Sequence, residues 1–324
     1  MAVTNSYASG ISVVIPTWNG RHLLAANLPY LAASISSSEL ETEIVVVDDA
    51  STDDTAAYLM EAFPDIKLVT CESNGGFAVA ANRGIEAAQY DKVLLLNNDI
   101  RVAPGFLEPL LPYLEHPDTF AVATATVTPA GDKETRPHTW IFKQGVFREE
   151  WFPLSSRPSL AFGASGGHAL FDHHKLDELG GFDEQFSPFY YEDTDLSYRA
   201  WKRGFSIYLE PGSRVIHEHQ ATIGSLSKNY VSVVRIRNKY LFMWKNLTDL
   251  RYLMSHLLWL PVNIGKDVVR RPVTILGVFW ALARLPSVLS ARRTERHRIK
   301  LGDKEILKKI RKGARDGIEG HAHH

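Results

Sequence analysis

Three acidic clusters and one imidazole cluster stand where this chain could use them chemically: Asp48-Asp49, Asn97-Asn98-Asp99, Glu192-Asp193-Thr194-Asp195 and His217-Glu218-His219. Carboxylates can take a proton, read an N–H donor, or hold a hard divalent cation through oxygen. Asp99 with the imidazole of His217 suits Mg²⁺ or Mn²⁺, phosphate oxygens of a ligand completing the shell. Asp49 can accept from the N3–H of a pyrimidine. Each group also has a plain structural use. Acids at 192, 193 and 195 complement a helix N-terminus whether or not they react; Asp49 fits the same description, and a histidine closing a strand can simply bond backbone. What decides between these uses is the set of elements that positions them.

Short apolar runs at Ile11–Ile15, Glu43–Val47, Ile66–Thr70 and Val93–Leu96 predict buried strands. Between them, Leu23, Leu24, Leu28 and Leu31 recur with helical spacing, Ser51 and Asp54 have the spacing of a capping box opening a helix to about Phe63, and Phe77 to Ala88 forms a small-residue helix. This alternation predicts an open, mainly parallel α/β sheet, whose ligand site lies beyond the carboxyl ends of the strands. Pro16-Thr17-Trp18-Asn19-Gly20, Asp48-Asp49, Asn74-Gly75-Gly76 and Asn97-Asn98-Asp99 all fall at such ends. The dinucleotide fingerprint G-x-G-x-x-G and the P-loop pattern are both missing, which excludes those two nucleotide-binding classes. Asn74-Gly75-Gly76 can present N–H groups to a phosphate at a helix start, or can be only a tight turn.

Further along, Phe106 to Leu114 predicts a helix, Phe120 to Val127 a strand, and Pro129 to Pro158 a proline-punctuated loop region beside the acceptor. Ala161 to Phe171 is a glycine-rich strand whose small residues would admit a ligand closely. Leu176–Leu179 predicts a short helix. Leu196, Ala200 and Trp201 share one face of a helix led by the acids at 192–195, Gly204 ends it, and Ile207–Leu209 and Arg214–Ile216 predict two strands.

With 324 residues, 45% of them hydrophobic, the chain can bury a large core. A single cysteine, Cys71, excludes an internal disulfide and fits a reducing compartment. Met1 to Gly10 lacks the pattern of a secretory signal, and no apolar run is long enough to span a bilayer. The formal net charge of −1 hides an asymmetry: between Lys266 and Asp316 fifteen Lys or Arg face five acids. From Asn229 the pattern turns helical, with Val233, Ile236, Tyr240, Leu241 and Trp244 on one face and Arg235, Arg237, Lys239 and Lys245 elsewhere. Aliphatic and aromatic residues beside dense basic ones suit a helix lying in a membrane interface. A helical bundle packed on the rest of the chain, or a homodimer contact, is the alternative. No nucleic-acid module is recognisable.

These motifs together resemble glycosyltransferase family 2, inverting enzymes of the GT-A nucleotide-diphospho-sugar transferase fold, and within it the bacterial rhamnosyltransferase-like members that build cell-surface polysaccharides. The likeness runs from Ile11 to about Gln220. It rests on Pro16-Thr17-Trp18-Asn19, Val47 to Asp53, Asn74-Gly75-Gly76 with Asn82-Arg83-Gly84, Asn97-Asn98-Asp99, Gly180 to Glu184, and Glu192 to Leu196. It implies a catalytic domain over 1–225, with a nucleotide-binding half near 11–100 and an acceptor half near 101–225, and a helical extension over 226–324.

By position, the resemblance implies that Thr17 and Asp49 hold a uracil or thymine ring with Asp48 beside them. Pro16, Asn19, Asn74, Gly75, Asn82 and Asn98 complete the nucleotide side. Asp99 falls on the metal-binding aspartate of the family's D-x-D motif, with Asn97 replacing its first carboxylate, and His217 on a histidine that joins the metal in some members. Asp193 matches the general base and Glu192 its neighbour in the acceptor pocket. The expected reaction moves a sugar from a UDP- or dTDP-sugar, with Mn²⁺ or Mg²⁺, to a hydroxyl of a saccharide or lipid-linked acceptor. One displacement inverts the sugar, because a metal that stabilises the leaving diphosphate removes the need for an acid. The expected location is cytoplasmic, peripheral on the inner face of the bacterial cytoplasmic membrane. A sugar nucleotidylyltransferase and a non-catalytic sugar-nucleotide-binding scaffold are the competing readings.

Overall fold

The computed structural model describes residues 7–36, 40–128, 138–151, 157–217 and 226–319. Its first half alternates as the apolar runs demand: β1 Ala8–Thr17, α1 Arg21–Ile35, β2 Thr42–Asp48, α2 Thr55–Ala62, β3 Lys67–Thr70, α3 Phe77–Ala87 and β4 Tyr90–Leu96. β3, β2, β1 and β4 lie side by side in that order and run parallel. The sheet continues through β10 (His168–Asp172), β6 (Thr119–Val127), β11 (Ser206–His217) and β5 (Ile100–Val102), with β9 (Ser159–Leu160) also paired to β11. β10 is antiparallel to both β4 and β6, so it starts at the edge where β4 ends. The sheet is mixed, parallel from β3 to β4.

Strand residues alternate between two cores, as a pleated backbone requires. Val14, Val45, Val47, Leu95, Ala121 and Phe171 enter one, while Val13, Ile15, Val46, Leu94, Val122 and Leu170 enter the other. The second core is closed by Leu24, Leu28 and Leu31 of α1 and by Phe106, Leu107 and Leu110, the last at the start of the short α4 (Leu111–Leu114). The first is closed by α3, by α5 (His173–Leu179) and α6 (Glu192–Lys202), and by helices beyond residue 226: α7 Lys228–Asn246, α8 Leu250–Arg270, α9 Thr274–Ala283, α10 Leu285–Arg296 and α11 Asp303–Glu319. Leu241, Phe242, Ala281, Val288, Ile306 and Ile310 belong to the same apolar cluster as the sheet strands.

Asp303 fastens that seam. It is fully buried at the start of α11 and accepts hydrogen bonds from Lys202 Nζ, Tyr198 Oη, and the backbone N–H groups of Thr248 and Asp249, each at 2.7 Å.

Several local expectations are corrected. The region 129–158 is not loop throughout, because 138–151 folds into the hairpin β7 (His138–Lys143) and β8 (Val146–Trp151). Its two-residue turn puts both Gln144 and Gly145 at positive φ, 54° and 75°, the geometry that matches strand twist; Gln in place of Asn or Asp hides the signal. Residues 129–137 and 152–156 of that region lie outside the described residues. Ser51 does not cap α2: its hydroxyl accepts from Asn19 N at 2.8 Å, and Asp53 takes the Thr55 N–H at 3.1 Å instead. The two strands expected at 207–216 are one, β11, with an irregularity between Glu210 and Arg214. In the glycine-rich stretch only 168–172 is strand. Gly166 and Gly167 make room for this chain's own Phe77 ring and Asn97 amide, since an added Cβ would stand 2.8 and 2.4 Å from them. Arg237 and Lys245, off the apolar stripe expected on α7, are nevertheless buried, 1% and 5% exposed.

Candidate active site

At the carboxyl edge of β1, β2 and β4 the polar clusters meet. Thr17 ends β1 and accepts from Asn98 Nδ2 at 2.8 Å through its hydroxyl, while its carbonyl accepts the Asp49 N–H at 2.9 Å. Asp48 ends β2 and accepts the Ser51 N–H at 3.1 Å. Asp49 spans the gap to α3: Oδ1 accepts from Gly75 N at 2.9 Å and Oδ2 from Gly76 N at 2.8 Å. Burial pushes its carboxyl up from the ordinary range, and these two N–H bonds oppose that rise. The Gly75 and Gly76 donors therefore point at a carboxylate of the protein rather than stand open for a phosphate. Gly76 has a φ of +82° and lies against Pro188, 2.7 Å from where a Cβ would be, so glycine is required there.

Other residues of the expected nucleotide side are structural braces. Asn19 Oδ1 accepts from Thr52 N at 2.7 Å and Asp53 N at 3.3 Å, clasping the loop after β1 to the loop after β2. Asn82 is committed to the turn before Glu184: its Nδ2 donates to Phe182 O at 2.9 Å and Glu184 Oε1 at 3.1 Å, and its Oδ1 accepts from Phe182 N at 2.8 Å. The Asn82 amide is thus engaged through both its atoms, and the Asn19 amide through its oxygen. Asn74 is exposed just before α3, and Pro16 is half-buried in the last turn of pairing between β1 and β2.

Asp99 follows β4, and His217 pairs with its neighbour Ile100 across β5 and β11. This register sets His217 Nε2 3.4 Å from Asp99 Oδ2. Asp99 is 8% exposed, and its Oδ1 is buried without a hydrogen-bond partner. Among the described residues no group of three His, Cys, Asp or Glu side chains is gathered as a metal cage. A two-residue seat of one carboxylate and one imidazole, with an unsatisfied oxygen, fits a divalent cation whose remaining ligands come from a bound diphosphate. Asn97 adds no charge; its amide packs over Gly167.

The side expected to take the acceptor is built by 186–193. Tyr190 and Tyr191 both hold positive φ, 70° and 75°, and the chain then enters α6 with Glu192, Asp193 and Asp195 in its first turn. Asp193 Oδ1 accepts the Thr194 N–H at 2.6 Å. Asp193 and Thr194 face a cleft of about 400 Å³ shared with Thr124, His168, Trp140 and Trp151. Glu192 differs: its Oε2 is buried without a partner, and burial together with the Asp193 charge pushes its carboxyl up to about 8. Asp195 faces inward. Burial alone would raise it, but Lys245 at 2.8 Å and Arg199 at 2.7 Å hold it below the ordinary range, and Asn246 bonds its other oxygen.

Sequence reasoning missed the part four residues play here. His168, at the start of β10, lines the cleft beside Asp193; its Nδ1 meets Thr124 Oγ1 at 3.1 Å. Burial, and next the His217 imidazole, lower it to about 4, so it is neutral near pH 7. A polar residue among small and apolar neighbours was the available signal. Asn238, fully buried on α7, donates to the carbonyls of Phe186, Phe189 and Tyr190 at 2.6, 3.0 and 2.8 Å, and Arg237 donates to Phe186 O and Ser187 O. Arg235 lies 4.4 Å over the Tyr190 ring. These partners lie about fifty residues away in sequence, where no local pattern marks them.

A larger hollow, about 670 Å³, between α3, α5 and α10 is a different case. Its cations Arg199 and Lys245 are held by Asp195 and Asp183.

A known family model, that of glycosyl transferase family 2, matches residues 12–180, more than half of the chain. The chain belongs to glycosyl transferase family 2. This glycosyltransferase is 25% identical, over 249 residues, to the N-acetylglucosaminyl-diphospho-decaprenol L-rhamnosyltransferase of Mycobacterium tuberculosis, covering 66% of this chain and 80% of that one. In fold it is similar to GalNAc-T7 solved with UDP, GalNAc and Mn²⁺, at TM-score 0.65 and 17% identity, covering 98% of this chain and 58% of that one. S. aureus TarS, residues 1–349 with UDP-GlcNAc, superposes at TM-score 0.53 and 16% identity, over 96% and 92% of the two chains. The transferase thus has the GT-A fold, with helices at its C-terminal side.

Proposed function

We propose that the protein is an inverting transferase that moves a sugar from a UDP- or dTDP-sugar to a hydroxyl of a saccharide or lipid-linked acceptor. The observation that carries this reading is the opening of Asp193 onto the cleft beside His168, next to the edge that holds Asp99 and His217. Asp49 keeps lone pairs beyond its bonds to Gly75 and Gly76, so it can accept a pyrimidine N3–H while staying anchored. Thr17, Asn98 and Asp48 frame the same place. Asp99 and His217 would hold Mn²⁺ or Mg²⁺, which when bound stabilises charge on a leaving diphosphate.

The chain's own step is proton removal. Asp193 takes the proton of the acceptor hydroxyl as that oxygen attacks the anomeric carbon from the face opposite the diphosphate, and inversion follows from the single displacement. Glu192, held protonated, does not compete as a base; it lowers the negative charge beside Asp193. The Mycobacterium relative is named for an acceptor on a decaprenol diphosphate, and S. aureus TarS was solved with UDP-GlcNAc, which supports a lipid-linked acceptor and a uridine-type donor here. The same reading places the enzyme in the cytoplasm at the inner face of the bacterial membrane, in cell-surface polysaccharide synthesis, with a catalytic unit over 1–225 and a helical extension over 226–324.

The test is Mn²⁺-dependent hydrolysis of a panel of nucleotide sugars. The expected result is free nucleotide released from one UDP- or dTDP-sugar and lost with EDTA. A protein that instead responds to pyrophosphate is a nucleotidylyltransferase, and one that binds but never hydrolyses a donor is a scaffold.

A further inference from the structure

Helix α8 has one face engaged with the protein and one open. On the engaged face Tyr252, Leu260 and Ile264 pack on the core, His256 Nδ1 meets Gly145 O at 2.7 Å, Asn263 Nδ2 donates to Gln144 O at 2.9 Å, and Asp267 accepts from Lys239 at 2.8 Å and Tyr240 at 3.0 Å. Its outer face is apolar. Leu250, Met254, Leu257, Leu258, Val262 and Val269 are exposed, Leu258 by 77% and Val269 by 85%. Their spacing sets them on one stripe along a helix of 21 residues, about 31 Å long. Leu276 and Phe279 of α9, which packs on α8, are exposed as well. Scattered apolar residues are ordinary on a surface, but a continuous stripe marks a partner.

Charge selects the partner. From Leu250 to Lys300 the chain carries ten Lys or Arg and two acids, Asp267 and Glu295. Both acids are already paired, to Lys239 and Arg203. Arg251, Lys266 and Arg270 are exposed along the stripe. A second copy of this face would set like charge against like charge, whereas an anionic bilayer answers both the apolar stripe and the basic border. Among the described residues no single helix is long and apolar enough to cross a membrane, although Thr274–Ala283 and Leu285–Arg296, bent by 58°, pass together by length and composition; for α8, with one face already held by the protein, an orientation along the bilayer surface is the one that meets lipid with its open face.

We propose that the outer face of α8, extended by Leu276 and Phe279, docks on an anionic lipid bilayer at the boundary between headgroups and acyl chains. This builds on the membrane placement above, not on the transfer chemistry. It also gives that placement a geometry: the turn of the β7–β8 hairpin sits on α8, where a Cβ on Gly145 would stand 2.7 Å from Trp259 Cβ. The same hairpin sends Trp140, Glu149 and Trp151 to the cleft that holds Asp193. The membrane-bound helix thereby carries one wall of the acceptor side.

Vesicle co-sedimentation tests this, with phosphatidylglycerol–phosphatidylethanolamine vesicles against phosphatidylcholine vesicles. The full chain should pellet with the anionic vesicles and bind phosphatidylcholine about tenfold or more weakly. Leu257→Glu with Leu258→Glu should abolish pelleting while thermal melting and donor hydrolysis stay unchanged. Arg251→Glu with Lys266→Glu and Arg270→Glu should erase the preference for anionic lipid. Pelleting of the double leucine variant at the wild-type level would overturn the proposal, as would a wild-type protein that stays in the supernatant. A dimer that Leu258→Glu converts to monomer, without vesicle binding by the wild type, would assign the face to a second copy. Donor hydrolysis is read in the same samples, so failure to bind lipid leaves the transferase reading standing.

Discussion

At the carboxyl edge of β1, β2 and β4 four polar groups are tied to loops of the same α/β half: Asp48 to Ser51, Asp49 to Gly75 and Gly76, Asn19 to Thr52, Asn98 to Thr17. The acceptor segment 186–193 is built differently. It contains two consecutive non-glycine residues at positive φ, Tyr190 and Tyr191, each an arrangement that costs about 1–3 kcal/mol and persists only where the surroundings enforce it. The enforcement comes from α7, through Asn238 and Arg237. One side of the site is thus self-supporting, and the other depends on helices that look, in sequence, like an appendage.

That contrast can be broken by experiment. Asp193→Asn should lower transfer by about 10²–10⁴, the usual worth of a positioned base, with an unchanged melting curve; near wild-type turnover would remove Asp193 from the mechanism. Asn238→Ala should come next. It frees three carbonyls around the strained tyrosines and should lower kcat by up to about 10², the effect of displacing a reacting group by roughly 1 Å, while the donor KM holds. A loss shared equally between kcat and donor KM would mean that α7 supports both sides alike. Asp49→Asn should act on the other side, raising donor KM by about tenfold with little change in kcat, since it weakens two charge-assisted bonds to α3.

The smallest effect concerns pH. Glu192 is pushed up to about 8 by burial and by Asp193, so the folded state keeps a proton that the unfolded chain releases near the ordinary value of 4.5. Stability should therefore fall as pH rises from about 4.5 to about 8, then level off. Glu192→Gln, which cannot ionise, should be more stable than the wild type near pH 8, the gap closing toward pH 4.5. Melting temperatures of the two proteins across that range check the sign.

The same contrast explains what could be read in advance. Strands such as Val93–Leu96 and helices such as Phe77–Ala88 declare themselves because burial on both faces of a parallel sheet leaves continuous apolar runs, and residues after them must fall at the ligand edge. Asp48, Asp49 and Asp99 are legible for that reason. Asn19 and Asn82 stood in the right motifs, yet their amides close loops, a distinction that only hydrogen-bond partners reveal. Ser51 had the spacing of a cap but was claimed by Asn19, a contact between two loops. The burial of Arg237 and Lys245 on α7 was not legible, because helical periodicity cannot announce a buried partner such as Ser187 O or Asp195.

The Asp303 knot has a practical corollary for chimeras. Exchanging tails between related transferases by cutting near residue 225 would part Lys202 and Tyr198 from the carboxylate that joins them to α11, stranding charge inside the protein on both sides of the cut. A workable swap would have to move residues 183–319 as one cassette, so that Asp193, Asn238 and α8 travel with the partners that Asn238 and Lys245 hold at 183–190.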